Sequence, residues 1–391
     1  MSIWRAALAA SSAGLVGIGL ARFAYAPLIP ALIAAHWFSA SGTVYFGAAN
    51  LAGYLLGAVT SRLMARRVPA STLLRTMMVM ETLSFFASAD PLFWGWFLIW
   101  RFLSGLGGAV IMVVAAPNVL AHVAPERRGL VGGLIFAGVG SGVALSGILV
   151  PQMVRVGVVE TWCGLGLLSV LLTIISWNGF PHEMAATAPT AGAPRRRPWG
   201  GAVVMALLVE YALIATSLVP HMVFFVDYIA RGLGRGIDIG GHYWVLFGLG
   251  AIVGPLSAGP LGDRVGFGRA LRAGLVVEAA IIALVLVTAD EVALGVSGFI
   301  AGALVAGFVP IVVGRIHDLL HDVDRRRTVW AAATTAFALG QAASGYFCSY
   351  LFAATGGGYF WLFVFGTAAA VAALAIDLIV PVILPRRSAI A

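Results

Sequence analysis

The 391-residue sequence has no lysine at all, only two cysteines, and few charged residues of any kind, 10%. Soluble domains carry about 25% charged residues and roughly 45–50% apolar ones. This chain is 61% hydrophobic, with a mean hydropathy of +0.98. No soluble packing hides that much apolar surface in a chain of this length. An ordinary cytosolic enzyme, a secreted disulfide scaffold and a disordered protein are thereby excluded. Cys163 and Cys348 both sit in apolar runs and offer no disulfide framework. The sequence also lacks a Walker loop, metal-ligand spacing and a nucleophile elbow. No cofactor, no metal and no catalytic residue is therefore expected. Glycine is plentiful, at 49 residues. Gly138-x-Gly140 does not follow a soluble strand, so a dinucleotide loop is a poor reading of it. Gly53/Gly57, Gly138/Gly142 and Gly298/Gly302 have the spacing of close helix packing in lipid.

What remains is an all-α membrane protein. A spanning helix needs about 20 apolar residues. Twelve apolar segments can be read, approximately 4–35, 41–64, 72–89, 92–121, 128–154, 160–179, 200–229, 241–261, 270–289, 292–316, 328–354 and 358–384. Ala24-Tyr25-Ala26 looks like a signal-peptide cleavage site, but the apolar run is too long and is interrupted by Arg22. The net charge of +8 would suggest nucleic acid in a soluble protein. Here the arginines stand at helix ends, which is a topology signal, and no nucleic-acid partner is expected. With both termini in the cytoplasm, Arg155, Arg231 and Arg235 fall outside and Arg22 and Arg101 fall within the membrane. All the other arginines fall inside, as the positive-inside rule asks. An odd number of spans spoils that asymmetry. The expected location is the cell (inner) membrane, multi-pass, and the expected state is a monomer in the bilayer.

Residues 181–199 are rich in Pro, Ala and Thr and end in Arg195, Arg196 and Arg197. This linker divides the chain into an N-terminal six-helix bundle, 1–180, and a C-terminal one, 200–391. The halves repeat at an offset near 198. Arg75 and Glu81 match Arg272 and Glu278; Glu126-Arg127-Arg128 match Asp324-Arg325-Arg326; Gly142, Ser146 and Gly147 match Gly340, Ser344 and Gly345. Gly57, Ser61 and Arg62 match Gly259, Asp263 and Arg264 at a slightly larger offset. Transporters built from repeats bind substrate near the midplane between them and expose it alternately to each side.

The chain resembles the major facilitator superfamily along its whole length. The loop after the eighth segment, Gly259-Pro-Leu-Gly-Asp263-Arg264-Val-Gly266-Phe-Gly268-Arg269, is close to that family's G-x-L-x-D-R-x-G-R signature. The loop after the second segment keeps Gly57, Arg62, Arg66 and Arg67 but has Ser61 in place of the usual aspartate. Arg101-Phe-Leu-Ser-Gly105-Leu-Gly107-Gly108-Ala109 is similar to R-x-x-x-G-x-G-x-A. The run Gly17-Ile-Gly19-Leu-Ala-Arg22-Phe23-Ala-Tyr25-Ala-Pro27-Leu-Ile-Pro30 looks like the YbfB/YjiJ-type branch. The resemblance implies two pseudo-symmetric six-helix bundles and a transporter, and says little of the cargo. It implies gating roles for Arg62, Glu126, Asp263, Arg264 and Asp324, as latches that break in each cycle and so hold by only a few kcal/mol. The plainer reading of these arginines is topology alone. The fifth segment lacks the Gly-Pro pair frequent in antiporters.

Charges within the membrane need a partner or a task. Arg22 and Arg101 lie in segments one and four, which line the cavity of the resembled fold. Without matching acids nearby they suit an anion such as a carboxylate. Against that stand a static Arg22–Glu210 pair between the halves, and for Arg101 the family signature itself. Glu210 and His221 are eleven residues apart, within about 20° on one helical face, with Ser217 and Tyr228 on the same stripe. Either can carry a proton. Glu81, Glu278 and Asp377 read as structural pairs or snorkelling groups on peripheral helices. Tyr25, Asn50, Tyr54 and Gln341, and further Asn118, Tyr243, Trp244 and Trp330, suit a small polar substrate with an apolar part. Two functions follow: proton-coupled transport of a small organic anion, or export of amphipathic or aromatic compounds.

Overall fold

The computed structural model describes residues 2–124, 127–181 and 201–383. Among these there are no strands. Twelve helices follow one another. The first six are α1 Ile3–Ala34, α2 Ala40–Arg67, α3 Ala70–Ser88, α4 Trp94–Leu120, α5 Arg128–Val154 and α6 Val158–Ser176. The second six are α7 Gly201–Gly232, α8 Gly236–Val265, α9 Phe267–Val287, α10 Glu291–Leu319, α11 Val323–Ala354 and α12 Phe360–Ile383. They coincide with the twelve apolar segments to within several residues at each end. Nine of the described helices are long and apolar enough to cross a membrane. Large apolar side chains such as Leu167, Ile174 and Val287 stand exposed on the outer faces, as a lipid-facing surface requires.

Local chemistry sets the boundaries. Ser39, Asp290 and Asp322 cap α2, α10 and α11 by accepting the backbone N–H of Gly42, Ala293 and Arg325. Gly266 has φ +90 and ends α8 where a side chain would be strained. Proline shapes the first helix of each half. Pro27 has no N–H to give Phe23, four residues back. The Phe23 carbonyl instead accepts the Trp244 indole at 3.1 Å, in addition to a bond from Ala26. Pro220 likewise leaves the Thr216 carbonyl to the Ser344 hydroxyl, at 2.9 Å. Wide i→i+5 turns occur at Leu15–Leu20 in α1 and at Pro220–Phe224 and Tyr228–Gly232 in α7.

α1–α6 and α7–α12 pack as two bundles that meet where α5 lies on α8 and α2 on α11. Inside each bundle the same crossing recurs 197 residues apart. A Cβ on Gly53 of α2 would come 1.9 Å from the Phe102 carbonyl oxygen of α4, and one on Gly105 would come 1.9 Å from that of Asn50. On α8 and α10 the mates are Gly250 against Phe299 and Gly302 against Phe247, again at 1.9 Å. The packing mate of Gly57 is Gly254, since they face Leu106 and Ala303 alike. Loop spacing had paired Gly57 with Gly259 instead, because the signature loops follow these crossings at different distances. The expected linker, apart from Pro181, and Glu126 lie outside the described residues, as do Arg195 to Arg197, Arg386 and Arg387.

Candidate functional site

The interruption of α1 places Arg22 at mid-height between the bundles. Its Nη2 donates to Gln341 Oε1 on α11 at 2.8 Å, and its guanidinium lies 4.8 Å from the Tyr54 ring centre and 5.4 Å from that of Phe23. Arg22 is only partly buried. Among the described residues no carboxylate lies within ion-pair distance of it, so the expected alternative of an Arg22–Glu210 pair is not formed. Arg101 sits deeper. Its Nη1 donates to the Ala21 carbonyl at 2.7 Å, and its guanidinium stacks 4.4 Å from the Tyr25 ring centre. Its Nε and Nη2 are buried and have no hydrogen-bond partner among the described residues. Asn50 Nδ2 bonds the Arg101 carbonyl at 3.2 Å, and the Tyr25 hydroxyl donates to the Thr43 carbonyl at 2.7 Å.

Arg22, Tyr25, Asn50 and Arg101 line one small cavity with Met222 and Val223 of α7. In this conformation it has room for little more than a water molecule. Larger cargo needs its walls to part. Four of the six residues expected to contact substrate thus share one cavity, and Gln341 and Tyr54 touch Arg22 beside it. Trp244, expected only as an amphipathic lining residue, is instead a buried strut from α8 to the Phe23 carbonyl.

Glu210 and His221 have separate surroundings along α7. Glu210 lines a second small cavity with Arg315, Leu319 and Asp377, inside the second bundle. His221 Nε2 lies 2.8 Å from Ser297 Oγ, with its ring stacked on Phe225. The wide turn begins only at Pro220, so the helix keeps its 3.6-residue period from Glu210 to Ser217, and His221 stands one turn beyond Ser217. Glu81 and Glu278 are fully buried and so do not snorkel. Glu81 lies against Gly107 and within electrostatic reach of Arg101. Ser217 Oγ is 2.5 Å from Glu278 Oε1. Asp377 pairs with Arg272 at 2.6 Å, as its structural reading had it.

Among the described residues, polar links between the bundles are found at mid-height and toward the end opposite the termini. Besides Arg22–Gln341 and Trp244–Phe23, Ser349 donates to the Val44 carbonyl at 3.3 Å. Arg155 of the first half pairs with Asp238 of the second at 2.9 Å. At the terminal end Arg62, Asp263 and Arg264 are exposed and form no ion pair among the described residues. Asp324 stands 3.9 Å from Arg327 on its own helix. Arg155–Asp238 carries no sequence signature. It is well exposed, so it is worth about 0.2–1 kcal/mol. That is enough to shift a two-state balance by up to about fivefold. Arg155→Ala is therefore expected to raise the population opened at this end, read as the long-distance component between spin labels at Val159→Cys and Val292→Cys. An unchanged distance distribution would show the pair to be idle.

A polar site at mid-height between two repeated six-helix bundles defines a major facilitator superfamily transporter. The chain is thus a multi-pass membrane transporter and not an enzyme. It belongs to the family described as uncharacterised MFS-type transporter YbfB, which matches residues 14–378. The crystal structure of a D-xylose-proton symporter shares the fold with a TM-score of 0.74 and 16% sequence identity, covering 96% of this chain and 97% of that one. No curated protein matches the sequence.

Proposed function

We propose that this chain is a secondary active transporter that carries a small organic anion of the carboxylate type, coupled to protons, by alternating access between units 1–180 and 200–391. The reading rests on one observation. Arg22 stands at the interface of the bundles, partly accessible, with no acid beside it among the described residues. A guanidinium at that depth costs several kcal/mol, and a carboxylate cargo supplies the missing charge through a paired N–H···O contact. Met222 and Val223 across the cavity suit an apolar remainder. Arg101 supports the site from behind Tyr25. Glu210, in its cavity with Arg315 and Asp377, and His221 take part in proton coupling. With the termini in the cytoplasm of a cell-membrane protein, as the arginine distribution favours, the conformation described is closed to the outside.

The aromatic group Tyr211, Trp330 and Phe337, with Tyr211–Phe337 ring centres 4.7 Å apart, supports a second reading, export of amphipathic or aromatic cations. A thermal-shift panel on the purified protein separates the two. A ligand at 100 times its Kd stabilises by about 2.7 kcal/mol. Phenylacetate and hexanoate are expected to raise the melting temperature, and tetraphenylphosphonium and rhodamine to leave it unchanged. The reverse pattern sinks the anion reading and favours export.

A further inference from the structure

The second bundle contains a buried polar seam that the anion site does not use. Glu278, Ser217, His221 and Ser297 are all fully buried. Ser217 Oγ is 2.8 Å from the Ile214 carbonyl and 2.5 Å from Glu278 Oε1. A serine has one proton to give, and a carbonyl can only accept. If Ser217 serves Ile214, the contact with Glu278 is closed by a proton on the carboxyl. The alternative is a carboxylate in the membrane interior with one hydrogen bond, no cation in ion-pair reach among the described residues, and Oε2 left without a partner. That arrangement is far more costly than a neutral acid.

The same count fixes His221. Ser297 Oγ is 2.7 Å from the Ile281 carbonyl, and His221 Nε2 approaches that hydroxyl at 2.8 Å. With the serine proton given to Ile281, Nε2–H donates and Nδ1 is a bare acceptor. Nδ1 has no partner among the described residues. Ser217 and His221 are one turn apart on α7, and Glu278 and Ile281 one turn apart on α9. An acid and an imidazole lone pair therefore occupy adjacent levels of one seam. Transfer of the proton from Glu278 to Nδ1 leaves a carboxylate and an imidazolium, with no net charge added to the apolar interior.

The seam has an entry. Glu210 lies seven residues before Ser217, within about 20° on the same face and about 10 Å nearer the terminal end. Arg315 and Asp377 line its cavity, and Arg272 holds Asp377. At the opposite end the seam is stopped. Asp227 is buried, takes two 2.6 Å bonds from Arg231 and accepts the Tyr359 hydroxyl at 2.7 Å. From α12 the seam is faced by Phe363, which is not titratable.

We infer that Glu278 holds the coupled proton, in a seam running from Glu210 past Ser217 to His221 through the second bundle alone, apart from the anion site at Arg22. The inference rests on the proton-coupled reading above. Its test needs no cargo: infrared spectra of the protein in lipid films, in H2O and then in D2O. The wild type is expected to show a carboxylic-acid carbonyl band that Glu278→Gln removes, that Ser217→Ala shifts, and that exchanges readily with D2O. Exchange is expected to be about tenfold slower in Glu210→Gln. Melting temperatures establish that each variant is folded. Failure of Glu278→Gln to remove a band, a band that does not exchange, or exchange indifferent to Glu210→Gln each overturns the inference. In proteoliposomes, stimulation of phenylacetate uptake by an imposed pH gradient is expected to fall to a ratio of one in Glu278→Gln; retained stimulation also overturns it. Should the wild type carry no phenylacetate, the anion reading falls, and the infrared arms still decide the proton site.

Discussion

Arg22→Met is expected to weaken carboxylate binding about a hundredfold without lowering the melting temperature of the free protein. A hydrogen bond to a charged group is worth about 1.5–3 kcal/mol net, and about 3 kcal/mol is a factor near one hundred in Kd. The second half of the expectation separates binding from folding. Loss of the guanidinium removes the 2.8 Å bond to Gln341 and the stacking on Tyr54, together about 1–3 kcal/mol. It also removes an unpaired charge from mid-membrane, which by itself costs several kcal/mol. The unbranched methionine fills the space along Phe23 and Tyr54. Arg22→Lys keeps the charge but not the two-pronged donor, so an intermediate loss of about tenfold is expected. Equilibrium binding of labelled phenylacetate, with a melting curve on each variant, checks both halves. A Kd for Arg22→Met within roughly threefold of the wild type would remove Arg22 from the binding site.

The helices were legible because composition leaves no other solution. With 61% hydrophobic residues and every backbone group to be satisfied in lipid, twelve apolar runs can only be twelve helices. The depth of Arg22 and Arg101 was legible for the same reason, since a charge in an apolar run stands out. Their surroundings were not. Gln341 faces Arg22 across a 319-residue separation, which no local pattern reports. His221 shows the limit of periodicity. Spacing gave its face on α7 but not its partner, Ser297 on α10, nor the separate cavity in which Glu210 stands. Pro27 carries a usable signal. A proline within an apolar run leaves a carbonyl four residues back in need of a donor, and Trp244 from the other bundle supplies it. For Glu81 and Glu278 the snorkelling alternative fails for a different reason. Their repeat relation and distance from Arg75 and Arg272 suggested peripheral groups, whereas each turns inward and loses all exposure.

The second large effect concerns the crossings that make each bundle rigid. Gly302→Ala places a methyl 1.9 Å from the Phe247 carbonyl oxygen, and Gly105→Ala does the same against Asn50. Both obstacles are helix backbone, so α8 and α10, or α2 and α4, must separate by more than an ångström to reach ordinary contact. Overpacking of this kind costs about 1–3 kcal/mol and occasionally more, and with backbone on both sides the upper end, about 3 kcal/mol, is expected. Gly129→Ala, which meets nothing within 4 Å, is the control and is expected to leave the melting temperature in place. The two variants should lose stability alike and function differently. Gly105 packs against the backbone of Asn50, whose side chain bonds the Arg101 carbonyl. Separation there loosens the cavity wall, and phenylacetate binding is expected to fall with stability. Gly302 lies in the other bundle, and its obstacle Phe247 reaches the site only through its ring contact with Phe23 and the stacked Trp244, so its variant is expected to melt early with a smaller loss of binding than Gly105→Ala. Equal loss of binding in both would mean that the anion site depends on the second bundle as much as on the first. A harmless Gly302→Ala would mean that the α8–α10 crossing is wider than the repeat of the α2–α4 crossing requires.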